Sequence, residues 1–104
     1  MGERGSRETE ELSILTYPTR YDIYLTLKNS KQPMYASQIA RELGIDRKLV
    51  SFHLSALEKH GFVTSDIGIA NPENTSPKAV KYYTITDKAD KIITNFIKSV
   101  QRKK

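Results

Sequence analysis

The sequence predicts a mainly helical α+β domain that carries one small β-hairpin, in the order α-α-(β)-α-α-β-β-α. The first observation behind this order is that apolar residues recur at helical spacing in five separate segments. The second is a pair of strand-like segments, residues 62–69 and 79–85, on either side of a loop with two prolines. The third is size, because 104 residues of which 38% are hydrophobic suffice for one domain with a modest core.

The composition excludes several classes of protein. The sequence contains no run of about 18 apolar residues, so no membrane span is predicted. The first residues lack the apolar segment of a signal peptide. The chain has no cysteine, which excludes disulfides, thiolate metal sites and thiol catalysis. We therefore expect a soluble, cytoplasmic protein.

The charge of the chain is positive and unevenly distributed. The formal net charge is +5 and the sequence pI is about 9.5. Residues 1–11 carry two arginines against four glutamates, whereas the remaining 93 residues carry 15 basic and 8 acidic side chains. A small basic domain attracts polyanions, so nucleic acid and anionic membrane are the default partners.

The first part of the chain predicts a flexible tail and then two helices. Residues 1–11 are polar and mixed in charge, so we expect them to be flexible. A first helix carries Leu12 and Leu15 three residues apart. Pro18 interrupts it and suits the first turn of a second helix, residues 18–29. The inward face of that second helix consists of Ile23, Tyr24 and Leu27.

The middle of the chain predicts a short strand and two closely linked helices. Residues 34–35 follow a proline and suit a short edge strand. A short helix over residues 37–43 ends at Gly44, which adopts the left-handed backbone conformation easily. Asp46 is a good N-cap for the next helix, which runs to about His60.

The last part of the chain predicts a hairpin and a final helix. Residues 70–78 form the hairpin tip, and Thr86 caps the helix that follows the second strand. The predicted domain spans residues 12–100, and residues 101–104 form a basic tail. The wide apolar stripe of the last helix consists of Ala89, Ile92, Ile93, Phe96, Ile97 and Val100.

The spacing of small and apolar residues in the two linked helices is typical of a helix-turn-helix. Ala40 is small where the two helices cross, Gly44 lies four residues later at the turn, and Val50 begins the apolar face of the second helix. Leu54 and Leu57 continue that face. In a helix-turn-helix the second helix enters the major groove of double-stranded DNA. The sequence therefore predicts a DNA-binding protein with its recognition helix over residues 46–60.

A helical wheel divides this helix into two arcs. With Arg47 at 0° and about 100° per residue, the apolar Val50, Leu54 and Leu57 lie between about 280° and 340°. The opposite arc is basic and hydroxylic, as a DNA-facing surface requires. Ser37 and Gln38 in the preceding helix, and Lys78 and Lys81 near the hairpin tip, complete the predicted contacts. The predicted DNA-binding residues are Ser37, Gln38, Arg47, Lys48, Ser51, Phe52, Ser55, Lys78 and Lys81.

Several of these residues have a second interpretation. The polar arc is also what an ordinary solvated helix face looks like, and the hairpin tip is also compatible with a solvated loop. Phe52 lies at about 140° and either packs at the edge of the core or contacts a base. His53 lies beside the apolar arc and is predicted to be partly buried and hydrogen-bonded.

The sequence resembles the ArsR-type winged helix-turn-helix regulators over about residues 12–97. The opening helix matches at Leu15, Pro18, Thr19, Arg20, Ile23 and Leu27, with two spacings shifted by about one residue. The helix-turn-helix matches at Ala40, Leu43, Gly44, Val50, Ser51, His53, Leu54, Leu57, Gly61, Phe62 and Val63. The second hairpin strand and its end match at Tyr83, Ile85, Thr86 and Lys88. The resemblance implies a winged helix that regulates transcription, most often as a repressor.

The resemblance also implies a homodimer in which the first and last helices of two subunits pack together. The apolar stripe of the last helix is wider than one small core needs, which favours the same arrangement. The alternative is that the two helices pair with each other inside one chain. The predicted interface consists of Leu12, Leu15, Ile92, Ile93, Phe96 and Val100.

The chain departs from the metal-sensing members of this family. It has no cysteine, and its last helix contains Asp87 and Asp90 but no histidine. His53 and His60 lie seven residues apart, about 10 Å along a helix, which is too far to share one zinc ion. We expect no metal site and no cofactor.

Two other functions fit parts of the pattern. A winged helix that binds protein instead of DNA is compatible with the apolar Leu49 and Phe52 on the recognition helix. A regulator with a small-molecule pocket at the dimer interface is compatible with the tyrosines Tyr17, Tyr21 and Tyr24. No catalytic constellation is visible at a useful spacing, so we do not expect an enzyme.

Overall fold

The computed structural model describes residues 2–71 and 76–102, and in this part of the chain five helices accompany one two-stranded sheet. The predicted mainly helical α+β fold and its element order are confirmed. The elements are α1 (Gly2–Thr16), α2 (Pro18–Asn29), α3 (Ala36–Leu43), α4 (Arg47–Lys59), β1 (Val63–Ala70), β2 (Lys78–Ile85) and α5 (Asp87–Arg102).

The first helix is longer than predicted. Residues 2–11 belong to α1, so the helix begins earlier than the predicted start near Leu12, and residue 1 lies outside the described residues. Glutamate and arginine are good helix formers, so a polar segment of this composition extends a helix that is anchored further along. Part of that anchor is an ion pair of 2.8 Å between Glu11 and Lys88 of α5.

The second helix and the short strand match the sequence prediction. Helix α2 begins at Pro18, where the missing N–H costs nothing in the first turn. Met34 forms an isolated antiparallel bridge with Tyr83 of β2, with N···O distances of 3.3 and 2.8 Å. This bridge fixes the entrance to α3 against the hairpin.

The turn between α3 and α4 follows from two residues. Gly44 adopts φ +69°, a left-handed conformation that ends α3, and its N–H donates to the carbonyl of Ala40 at 2.8 Å. Asp46 caps α4, because its carboxylate accepts a hydrogen bond of 2.9 Å from the N–H of Lys48. A cap of this kind contributes about 1 kcal/mol.

The core lies where α2, α3 and α4 meet the end of α1, the start of α5 and the root of the hairpin. Removing a large buried apolar side chain from such a core costs about 2–5 kcal/mol. The largest fully buried side chains are Phe62, Leu15, Ile23, Ile39, Leu54, Leu57, Val50 and Val63.

The hairpin packs on the core only at its root. Strands β1 and β2 pair antiparallel from Val63 opposite Ile85 to Ala70 opposite Lys78. Side chains alternate across a strand, so Val63 and Ile67 lie on the same face, yet Val63 is 1% exposed and Ile67 is 71% exposed. The hairpin therefore extends well beyond the body of the domain.

Helix α5 is attached to the rest of the domain by polar contacts at its N-terminal half. The hydroxyl of Thr86 accepts from the N–H of Ala89 at 3.4 Å, which confirms the predicted cap, and donates to the carbonyl of Gly61 at 2.7 Å. Asp90 accepts a hydrogen bond of 2.7 Å from Tyr24 and forms an ion pair of 3.0 Å with Lys28, both on α2. Burial of the Tyr24 hydroxyl beside Asp90 raises the pKa of Tyr24.

Candidate nucleic-acid interface

Helix α4 presents one face to the core and the opposite face to solvent. Val50, Leu54 and Leu57 are fully buried, as the helical wheel predicts. The outward face is exposed, except for Ser51, which is half-buried. Its exposed side chains are Arg47, Lys48, Phe52, Ser55 and Lys59.

An open cleft joins the beginning of α4 to α3 and the hairpin. Ser37 reaches it from the first turn of α3, Arg47 and Ser51 from α4, and Lys81 from β2. The cleft has a volume of about 250 Å³, and Tyr83 is also among the residues that line it. Four of the predicted DNA-binding residues, which are up to 44 positions apart in the sequence, thus share one surface depression.

The electrostatics of this cleft favour an anion. Among the side chains that the structure describes, neither Arg47 nor Lys81 has an ion-pair partner. The described residues that line the cleft include no carboxylate. Lys81 and the serine hydroxyls can hold a phosphodiester, because the ammonium attracts its charge and the hydroxyls donate hydrogen bonds, and Arg47 adds a second positive charge at the end of the cleft on α4.

Gln38, which is also among the predicted DNA-binding residues, caps α3. Its side-chain oxygen accepts a hydrogen bond of 3.0 Å from the N–H of Tyr35, which closes the N-terminus of α3. It is not among the residues that line the cleft. The sequence signal was available, since a glutamine at the third position of a helix is a common capping residue.

An aromatic cluster lies beside the outward face of α4. Phe52 is 63% exposed, so the alternative that it packs at the edge of the core is wrong. Its ring contacts the ring of His53 edge-on, with 5.2 Å between the ring centroids. The ring of Tyr17 also lies near His53, with 5.9 Å between the ring centroids.

His53 is the buried member of this cluster, as predicted. Its side chain is 5% exposed, and its Nδ1 accepts a hydrogen bond of 3.1 Å from Nε of Arg20. Burial, together with the positive charge of Arg20, lowers the pKa of His53 below its usual 6.5. A neutral ring is required here, because only neutral imidazole has a nitrogen that accepts.

The hairpin exposes both basic and apolar side chains to solvent. Lys78 and Lys81 are exposed on β2, while residues 72–75 of the predicted tip, including Glu73, lie outside the described residues. Ile67 and Ile69 are 71% and 67% exposed on β1, and sequence reasoning missed them. Ile67 and Ile69 lie on the same face of β1 as the buried Val63, so the alternation of side chains predicts that they face the core. They are exposed because the hairpin is longer than the core beneath it.

Two of the predicted dimer contacts lie in the core of the same chain. Leu15 is fully buried and Ile93 is 6% exposed, so neither has surface left for a partner, and their assignment to an interface is wrong. The physical reason is that α1 and α5 pack against each other within one chain, the arrangement that the sequence left open.

The other four predicted dimer contacts remain at the surface. Leu12 and Ile92 are half-buried and line a groove of about 430 Å³ between α1 and α5, together with Phe96. Phe96, Ile97 and Val100 are each about half exposed along the second half of α5. An apolar surface thus continues from the groove to the end of α5.

The three tyrosines considered for a ligand pocket have contacts inside the chain. Tyr24 is buried and donates to Asp90, and its ring stacks on Tyr21 at 5.8 Å. The Arg20 guanidinium lies 5.2 Å from the ring of Tyr17. Of the three, only Tyr24 is buried, whereas Tyr21 is half-buried and Tyr17 is exposed.

The described residues show neither a cluster of metal ligands nor a membrane-spanning helix. In the part of the chain that the structure describes, no group of three or more histidine, aspartate or glutamate side chains is placed to hold a metal ion. None of the described helices combines the length and the apolar character that crossing a bilayer requires.

Comparison with known families identifies the central part of this architecture. The family model of the helix-turn-helix domain, a family that includes ArsR-type regulators, matches residues 15–66, which is half of the chain and runs from the end of α1 into β1. No curated protein matches the chain. The α3–turn–α4 unit, its buried spacing residues and the family match agree, and the chain belongs to the helix-turn-helix domain family.

Proposed function

We propose that this protein is a sequence-specific, double-stranded DNA-binding regulator of transcription that acts as a homodimer. The observation that carries the proposal is the cleft that collects Ser37, Arg47, Ser51 and Lys81 beside the exposed face of α4. A helix-turn-helix that reads DNA needs base-reading side chains on its second helix and phosphate contacts on either side of it. Both are available on this one surface.

In the proposed complex, α4 lies in the major groove. Arg47 reaches base edges from the first turn of the helix, where an arginine can donate two hydrogen bonds to guanine. Ser37 and Lys81 hold the adjacent phosphate in the cleft, and Lys78 follows the backbone toward the minor groove. These contacts fix the register of the helix, and Arg47 supplies sequence preference.

The proposed dimer uses the apolar surface at α1 and α5. Leu12, Ile92, Phe96 and Val100 would pack against the same residues of a second copy, which removes half-exposed apolar surface from water. Two recognition helices related by a two-fold axis then bind half-sites about 34–36 Å apart. The resemblance to ArsR-type regulators favours the same arrangement and a repressor role.

Selection of bound sequences from a random duplex pool tests the proposal. We expect a pseudo-palindromic motif, and the Arg47→Ala variant should bind the selected duplex about tenfold more weakly than wild type, because a base contact is lost. Lys31→Ala is the matched control, since it removes one exposed positive charge that does not line the cleft. Its affinity should stay within about twofold of wild type.

Two results would contradict the proposal. One is a pool without an enriched motif, combined with binding that disappears at physiological salt, which would favour a winged helix that binds protein. The other is an equal loss of affinity in Arg47→Ala and Lys31→Ala. That result would mean that Arg47 contributes only its positive charge and makes no base contact.

A further inference from the structure

We infer that Phe52 is a specificity-determining residue that reads the 5-methyl group of a thymine in each half-site of the bound DNA. This inference rests on the proposed DNA-binding function and adds to it the chemical group that α4 recognises. Of the four base pairs, only those with thymine display a methyl group in the major groove. The exposed ring of Phe52 is the complementary apolar surface on α4.

The position of Phe52 on the helix is the first argument. The four buried residues of α4, which include His53, are centred at about 290° on a wheel that begins at Arg47. The direction that points furthest from the core is therefore about 110°, and Phe52 at about 140° lies close to it. A phenylalanine that is 63% exposed at such a position contributes little to the fold and is available to a partner.

The second argument is that the ring has a fixed support. The edge-on contact of 5.2 Å with His53 holds one side of the Phe52 ring. His53 is itself buried and fixed by the 3.1 Å hydrogen bond from Arg20 on α2. A ring that is held before binding loses less conformational entropy when it contacts a base.

The third argument is the charge around the ring. Lys48, Ser55 and Lys59 lie one or two helical turns from Phe52 on the same exposed face. A protein partner that covered Phe52 with apolar surface would desolvate two lysine ammonium groups as well, which is costly. DNA meets both requirements, because its phosphates pair with the lysines and a thymine methyl meets the ring.

Replacement of thymine by deoxyuridine tests the inference, since it removes only the methyl group. Each thymine of the duplex selected by the wild-type protein is replaced in turn, and affinity is measured by fluorescence anisotropy at one fixed salt concentration. We expect one thymine in each half-site whose replacement weakens binding by roughly fourfold, the effect of one methyl group removed from water.

The variants connect that effect to Phe52. Phe52→Ala should bind the thymine and deoxyuridine duplexes equally, whereas Phe52→Leu, which keeps apolar volume, should retain part of the difference. Leu49→Ala is the matched control, because Leu49 is an exposed apolar residue of α4 that lies at about 200°, away from the basic arc. It should keep the full fourfold difference. Circular dichroism checks that each variant is folded.

The outcomes separate the inference from the function on which it rests. Specific binding in which no deoxyuridine replacement has an effect overturns the inference and leaves the proposed function intact. The same holds if Phe52→Ala keeps the wild-type sensitivity to the methyl group. Absence of any selected sequence overturns both, and loss of a protein partner from the Phe52→Ala variant in that case would assign the ring to protein binding.

Discussion

Helices α4 and α5 are both amphipathic, but their apolar faces are covered to different extents. The apolar face of α4 is fully enclosed by its own chain, and the other side of the helix carries two exposed cations at its start, Arg47 and Lys48. The apolar face of α5 is enclosed only around Ala89 and Ile93, and the stripe continues in the open to Val100. An apolar stripe therefore indicates that a helix face will be covered, and it leaves open whether the same chain or a second copy covers it.

The comparison is tested most strongly by two substitutions on opposite sides of α4. Leu54→Ala empties a fully buried position and should lower the free energy of unfolding by about 3 kcal/mol. Phe52→Ala removes a larger side chain from the exposed face and should change the same quantity by less than about 0.5 kcal/mol. Urea unfolding measures both. Equal losses in the two variants would mean that the outward face of α4 is also packed.

The open stripe of α5 is tested by the oligomeric state. A double substitution, Phe96→Ser with Val100→Ser, should weaken the dimer about tenfold or more, because two half-exposed apolar side chains lose their contact. Sedimentation equilibrium measures the change, and circular dichroism should show an unchanged fold. Lys98→Ser is a matched control, since Lys98 is an exposed residue of the same helix. A wild-type protein that stays monomeric at micromolar concentration would remove the dimer from the account.

A smaller effect on stability is expected from pH, through the buried His53 of α4. Because the pKa of His53 is lower in the folded protein than its usual 6.5, the unfolded chain binds this proton more tightly. The stabilisation is therefore fully present above about pH 6.5 and is lost as the pH falls through the lower, folded-state value.

The free energy of unfolding, measured between pH 7 and pH 5, checks this expectation. His53→Gln should reduce the dependence of the free energy of unfolding on pH. His60→Gln, in which the contact between Arg20 and His53 is intact, should keep the part of that dependence that His53 contributes. A slope that is the same in wild type and His53→Gln would contradict the role assigned to the buried imidazole.

Local rules were sufficient to predict α2, the turn and α4. Pro18, Gly44 and Asp46 each act through their own backbone or through a neighbour two residues away, so the ends of these helices follow from the sequence. The buried arc of α4 was predictable for a similar reason, because helical periodicity places Val50, Leu54 and Leu57 on one side.

The features that the sequence does not predict depend on contacts between residues that are far apart in the chain. The start of α1 was misplaced because its polar residues carry no apolar signal, although they extend a helix whose end is anchored to α5. The sequence predicts Leu15 and Ile93 at the dimer interface, although both are buried within the chain, because periodicity does not tell which of two surfaces covers an apolar side chain. The sequence predicts Ser37, Arg47, Ser51 and Lys81 individually as DNA-binding residues. That Lys81 shares one cleft with Arg47 depends on how the hairpin packs against α3 and α4, which the sequence does not give.

The central claim is that α4 and the adjoining cleft form the nucleic-acid interface. Mapping the protein surface that DNA covers tests this claim most directly. Backbone amide signals of the ¹⁵N-labelled protein would be followed during titration with the selected duplex. The account predicts that the largest changes occur at Ser37, at residues 47–55 and at Lys81, while residues 96–100 of α5 change little. Changes concentrated on α5, or on Ile67 and Ile69 without α4, would contradict it.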